Sequence, residues 1–284
     1  YKSILRPDTQ NTARGLVIND TETVFTTANP DLKPEYADNF EARVEYYFEP
    51  VGLISGGIFY KKLKDVQVTL QTIFDNTNVP EDVLAAGYTA ADLIARSAQY
   101  NRTVNGPDTD VWGYELDYNQ QLSFLPGHLK GFGVFANYTY TNPEEEFFFT
   151  GGSGVPKHAV NAGVTYKAQR FSGQIKFNWL GKRILATPGY SINPFTGQVV
   201  LGTVNATTGV QNPNAANSGR IDYEKERLQI DINLDYQLHR RATVFLNIAN
   251  ATGAESIRYA VKEANLIRHG GFGAKYTLGV KGSF

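Results

Sequence analysis

Four histidines, His128, His158, His239 and His269, fall in four separate segments of the chain. None stands at a ligand spacing from another, so each reads as a surface or turn residue rather than a metal ligand. The chain has no Cys, which excludes thiol nucleophiles, zinc–thiolate sites and disulfide frameworks together. There is no Gly-x-Ser-x-Gly elbow, no phosphate loop ending Gly-Lys-Ser/Thr and no His-Glu-x-x-His helix. Gly151-Gly152-Ser153-Gly154 lies between a strand and Pro156 and reads as a loop tip rather than a phosphate cradle. No catalytic residue, metal site or cofactor is expected.

The acidic residues offer more. Glu115, Asp117, Asp231 and Asp235 could in principle supply paired acids for hydrolysis. Their alternate-position neighbours are Asn119, Gln121, Arg227, Gln229 and Asn233. A buried charge among such partners is better explained as a hydrogen-bonded polar lining. A second candidate chemistry is recognition by exposed aromatics. Glu144-Glu145-Glu146 runs into Phe147-Phe148-Phe149, and Tyr190 stands in a later Asn- and Gly-rich stretch. Rings there could stack on a sugar or an iron chelate; the plainer reading is packing against neighbouring loops.

The elements that position these residues are strands. In Val111–Leu125, Trp112, Tyr114, Leu116, Tyr118, Leu122 and Phe124 share one parity, and Glu115, Asp117, Asn119 and Gln121 share the other. A helix would mix the two sets, whereas a strand puts them on opposite faces. The same split recurs in Asn39–Phe48, Gly131–Tyr140, His158–Lys167, Phe171–Leu180, Arg227–Leu238, Ala242–Asn250 and Phe272–Phe284. Phe245 is an exception on the polar parity. Val51–Thr72 reads as one long strand or two joined ones, with a bulge or the waterline near Phe59–Asp65. Tyr1–Ile4 reads as the end of another strand. Short connections near 49–52, 126–130, 168–170 and 239–241 alternate with long ones near 5–35, 74–110, 141–156, 184–222 and 251–270. Within the long ones, Pro80–Arg96 reads as one or two short helices with a capping box at Thr89 and Asp92, and 184–222 as a surface loop.

A soluble sandwich has no reason to sort its loops by length; an outer-membrane barrel does, with short periplasmic turns and long extracellular loops. Strands of about ten alternating residues suit a tilted membrane crossing. Aromatics near the strand ends, among them Tyr46, Trp112, Tyr138, Tyr140, Trp179 and Tyr276, suit interfacial girdles. The polar parity, with Glu115, Asp117, Asn119, Gln121, Arg227, Gln229, Asp231, Asn233 and Asp235, would then face the lumen. No apolar run reaches the length of a membrane helix. Lys and Arg number 27 against 28 Asp and Glu, a net charge of −1, which argues against a broad basic face for nucleic acid. The expected fold is all-β, an antiparallel transmembrane β-barrel with about ten strands present. The alternatives are a soluble β-rich binding or enzyme domain and a self-contained barrel acting as a passive pore or adhesin.

Several motifs in order make a family resemblance. They are Asn29-Pro30-Asp31-Leu32-Lys33-Pro34-Glu35, Glu45-Tyr46-Tyr47-Phe48, Gly57-Ile58-Phe59-Tyr60-Lys61-Lys62, Leu125-Pro126-Gly127, Asn137-Tyr138-Thr139-Tyr140, Asn161-Ala162-Gly163-Val164-Thr165-Tyr166 and Leu246-Asn247-Ile248-Ala249-Asn250. Together they resemble the carboxy-terminal barrel part of TonB-dependent outer-membrane receptors. Phe284 resembles the terminal aromatic read by the barrel-assembly machinery. The resemblance implies that residues 1–284 are the last part of a 22-stranded barrel, filled in the full-length chain by an amino-terminal plug. Its location would be the bacterial outer membrane. Its partners would be outer-membrane lipid, the plug, the TonB energy-coupling protein through a segment outside this chain, and a small-molecule or oligosaccharide ligand; nucleic acid is not among them. The implied function is energy-coupled uptake of a bulky nutrient, a carbohydrate or a metal chelate such as a siderophore. The motif after the first strand and the long helical loop resemble the branch associated with carbohydrate uptake.

Overall fold

The computed structural model describes residues 2–12, 15–74, 79–143, 154–186, 190–192, 199–201, 203–204, 211–212, 221–271 and 273–282. Ten strands form one antiparallel sheet: β1 (Lys2–Leu5), β2 (Glu35–Phe48), β3 (Gly52–Lys64), β4 (Thr109–Gln121), β5 (Phe132–Pro143), β6 (His158–Ala168), β7 (Phe171–Leu180), β8 (Arg227–His239), β9 (Ala242–Ala249) and β10 (Lys275–Gly282). Each pairs only with its neighbours in this series, so the sheet is a simple meander. β1 and β10 are its two edges, and no ladder joins them among the described residues.

The register turns the period-two sequence pattern into two continuous faces. Tyr46, Ile54, Tyr118, Ala136, Ala162, Phe177 and Ile230 are successive cross-strand partners from β2 to β8. One residue away, Glu45, Ser55, Asp117, Asn137, Asn161, Asn178 and Gln229 are successive partners too. A slip of one residue in any strand would interleave the two sets, so the pattern fixes the register. On the apolar face large side chains stay uncovered: Val44 is 75% exposed, Leu278 74% and Ile58 66%. A protein in water would bury a face this extensive.

Aromatic rings band that face twice. Towards the long loops, Trp112 packs on Tyr140, Tyr114 on Tyr138 and Tyr140, and Tyr140 on His158. Towards the short turns, Tyr46, Phe48 and Tyr118 form one group and Phe132, Tyr166 and Phe171 another. Phe40 and Phe48 mark the two bands on β2, about 27 Å apart along the strand at the usual rise per residue. That matches the height of an outward apolar belt.

The polar face also carries phenylalanines, each over a glycine of the next strand. Phe59 is the register partner of Gly113, Phe135 of Gly163 and Phe245 of Gly279. A Cβ on Gly163 would meet the Ile175 carbonyl and the Phe135 ring, each at 2.5 Å. The three glycines leave room for rings on an otherwise polar surface. Phe245, the exception in the sequence pattern, belongs to this set.

The stretch 51–72 resolves into two strands in different sheets. β3 ends at Lys64, Asp65 takes a left-handed φ of 53°, and Gln67–Ile73 leaves the meander. β4 likewise stops at Gln121, so Leu122 and Phe124 fall in the turn. Of the alternating run read over Phe272–Phe284, Phe272, Ser283 and Phe284 lie outside the described residues, and the strand spans Lys275–Gly282.

The long connections have structure of their own. A six-stranded sheet runs in the order Val199–Leu201, Tyr190–Ile192, Gln67–Ile73, Gln99–Asn105, Val24–Thr27, Val17–Ile18. It joins three loops that are far apart in sequence, partly through parallel pairing of Val24–Thr27 with Gln99–Arg102. Beneath it lies a core of Phe25, Phe74, Val83, Leu93 and Ala98. Phe25 meets Phe74 and Tyr88 edge-on. The helices Glu81–Ala85 and Ala90–Ala95 deliver Val83 and Leu93 to this core. Thr89 and Asp92 form the expected capping box, and hydrogen bonds from the Thr89 hydroxyl and backbone hold the Asp92 carboxyl below its ordinary pKa. A second loop sheet, four-stranded, runs Arg183–Ala186, Asp222–Glu224, Ser256–Ala260, Leu266–Gly270.

Two consequences are measurable. Phe25→Ala should remove about 3–5 kcal/mol from the loop core. Hydrogen exchange should then show protection lost in 16–27 and 79–105 and retained in β2–β9. Gly163→Ala should lower the unfolding free energy in detergent by about 1–3 kcal/mol. The loss should be smaller in a Phe135→Ala background, where one of the two obstructing groups is gone.

Candidate functional site

The polar parity read from the sequence is brought together as one hydrogen-bonded surface. Its centre is Arg43 on β2. The guanidinium donates to Ser55 Oγ and Asp117 Oδ2, each at 2.8 Å, and to Glu45 Oε1 at 3.0 Å. Glu115 lies 4.0 Å from the same group. Asn137 Nδ2 donates to the other oxygen of Asp117. Glu115 and Asp117 therefore share a cation on one surface instead of facing one another across a cleft, as acid and base would in a hydrolase.

Asp231 repeats the arrangement further round the sheet. It accepts from Gln229 Nε2 at 2.9 Å, Asn178 Nδ2 at 3.3 Å and the Asn250 backbone N–H at 2.8 Å. Asp235 takes Lys281 Nζ at 2.9 Å. Asn119, Arg227 and Asn233 stand on the same face, and Arg227 also acts electrostatically on Glu224. Nearer the short turns a second polar row, Gln121, Gly133, Thr165, Gln174, Asn233 and Asn247, continues to Thr277. Gln121, Thr165, Lys167, Gln174, Asn233 and Asp235 border an open groove of about 370 Å³ there.

The other sequence candidates fare differently. Phe147, Phe148, Phe149 and Phe284 lie outside the described residues. Tyr190 is placed by its backbone, which pairs with Leu201 and, in parallel, with Leu70. The histidines stay apart: His158 bonds the Tyr138 hydroxyl at 2.8 Å, His269 pairs with Glu255, and His239 Nδ1 accepts from Arg241 N. No grouping of three potential metal ligands occurs among the described residues.

Sequence reasoning missed one cluster. In the four-stranded loop sheet, Arg183, Glu224 and Arg258 are successive register partners, and Arg258 faces Arg268. Arg183 donates to Glu224 Oε2 through Nε at 2.6 Å and through Nη2. Ser256 Oγ donates to Glu224 Oε1. The opposite side of this sheet stacks Tyr223 on Tyr259, with Lys182 Nζ 4.0 Å from the Tyr223 ring centre. These residues come from three stretches of the chain, around 183, 222–224 and 256–270, so no local spacing announces the whole cluster. The alternation of Ser256 and Arg258 with Ile257 and Tyr259 was the only available sign.

Burial alone would raise the Glu224 pKa, but the hydrogen bonds from Ser256 and Arg183 outweigh it and hold the carboxyl below the ordinary glutamate value. A depressed carboxylate stabilises the folded state above the unfolded pKa, about 4.3, and loses that contribution as pH falls through the folded value. Exchange protection of Asp222–Glu224 and Ser256–Ala260 should therefore be flat from about pH 7 to 5 and fall below about pH 4. In Glu224→Gln that acid step should disappear.

A family model described as TonB dependent receptor-like, beta-barrel matches residues 1–251. Among solved structures, the ferric enterobactin receptor PfeA of Pseudomonas aeruginosa, crystallised with enterobactin as a variant, superposes with a TM-score of 0.63 at 15% identity. The alignment covers 100% of this chain and 37% of that one. The siderophore receptor PirA of Acinetobacter baumannii gives 0.60 at 16%, covering 100% and 38%. The copper transporter OprC gives 0.57 at 13%, covering 100% and 35%. The chain thus spans little more than a third of the length of these proteins. No curated protein matches the sequence.

Proposed function

Because this chain belongs to the TonB-dependent receptor-like β-barrel family, we propose that it is the carboxy-terminal barrel portion of an outer-membrane transporter that takes up a bulky nutrient with energy supplied through TonB. The observation that carries the reading is the two-faced ten-stranded sheet, with an exposed apolar side banded by aromatics and a hydrogen-bonded polar side. In a bilayer the first would face lipid and the second the lumen of a 22-stranded barrel closed by further strands.

Glu115, Asp117, Asn119, Gln121, Arg227, Gln229, Asp231, Asn233 and Asp235 then line the transit route against a plug domain of the same full-length protein. Asp117 and Asp231, each holding several donors, keep that lining hydrated and non-adhesive. The short turns face the periplasm and the loop sheets face outward. Phe147, Phe148, Phe149 and Tyr190 contact ligand at the mouth, and Phe284 is the signal for barrel assembly. Cargo is a carbohydrate or a metal chelate; the siderophore and copper proteins named above give the second class support at the level of shared fold.

Cells lacking the protein should lose high-affinity uptake of one such labelled cargo, and a protonophore should abolish that uptake in cells that have it. The purified protein in a planar bilayer should stay closed to ions. Steady conductance without an energy source would instead identify a passive pore.

A further inference from the structure

The arginine cluster of the loop sheet has more positive charge than its partners use. A cavity of about 290 Å³ is bordered by Arg183, Arg258, Arg268, Glu224, Ser256 and Gly270. Three cations therefore meet one carboxylate, a balance of +2 (3 − 1) for the lining. Glu224 is already occupied by Arg183 and Ser256. Asp222 shares the face but does not border the cavity, and Glu255 is engaged with His269.

Arg258 and Arg268 oppose each other directly in the antiparallel pair. Like charges in that position repel and destabilise the ladder. Neither has a carboxylate partner among the described residues, and the buried Nε of Arg258 has no hydrogen-bond partner there. A buried donor left unmade is costly. The next pair on the same face is Ser256 with Gly270, two small residues that border the cavity beside the guanidinium groups. An oxyanion between Arg258 and Arg268 would cancel the repulsion. Guanidinium forks suit phosphate oxygens in both geometry and charge.

We propose that this cluster is a binding site for a phosphate-type dianion, held by Arg258 and Arg268 and oriented by the Arg183–Glu224–Ser256 network. The transporter reading bears only on which side of the membrane the site faces. The phosphate arrives either on a soluble phosphorylated ligand or on the headgroup of an outer-leaflet glycolipid.

The test titrates inorganic phosphate into the protein purified from its native membrane in neutral detergent, read by calorimetry and by thermal unfolding. One saturable site per chain is expected. Arg258→Gln and Arg268→Gln should each weaken it at least tenfold while raising the unfolding midpoint in phosphate-free buffer, because each relieves the repulsion. Absence of saturable binding, or unchanged affinity in both variants, would overturn the proposal. So would a lowered phosphate-free midpoint in both variants, since the arginines would then be structural. Arg258→Lys keeps the charge and should retain part of the affinity. A hexose 6-phosphate competing with inorganic phosphate supports the soluble source; loss of phosphate binding in nanodiscs of phosphorylated glycolipid, but not of phosphatidylcholine, supports the lipid source. Binding is read without transport, so a failed uptake assay leaves this result standing, and the reverse also holds.

Discussion

For a barrel of this family the governing constraint is the need to pair backbone N–H and C=O groups where water is absent. In hydrocarbon an unpaired amide costs several kcal/mol, so a chain that crosses without helices must cross as a laddered sheet. No helix among the described residues is long and apolar enough to span a membrane, and the strands β2–β9 are each laddered on both sides. Once the backbone is satisfied by its neighbours, the side chains are free to serve two solvents. That is why the same strand can carry Tyr118 and Asp117 side by side. The polar face needs no apolar core, only donors and acceptors in balance, and Arg43, Asp117 and Asp231 show how that balance is kept.

The strands of the meander were legible because alternation is a strong, local signal. β7 came out with the bounds read from the sequence, and the four short turns lie where expected. What local pattern could not show was that a strand leaves the sheet. The irregularity read near Phe59–Asp65 marks the break, but not that the left-handed Asp65 sends the chain into another sheet. The residues of the polar parity share one face of the sheet, because parity alone assigns a face. Their partners were less accessible: Arg43 was not singled out, although it organises the surface, since its links to Ser55 and Asp117 depend on register.

The loops were the least legible part. They were read as surface connections with two short helices, and the helices and capping box are there. The core around Phe25 was not foreseen, since Phe25, Phe74 and Leu93 are brought together only by pairing between different loops. The arginine row was hidden for the same reason. Four segments contribute one strand each, and only the register reveals that three guanidinium groups share a cavity.

The meander also bears on the order in which the molecule is built. Every ladder in the ten-stranded sheet joins strands that follow one another in the series, and four of the hairpins are closed by short turns. Loop closure is least costly there, so those hairpins are the natural first units of assembly. The parallel ladder between Val24–Thr27 and Gln99–Arg102 demands closure across more than seventy residues, with the β2–β3 hairpin intervening. Closing that ladder costs less once the β2–β3 hairpin has formed, so a defect at Phe25 should spare the ten-stranded sheet and leave the loop sheet above it incomplete.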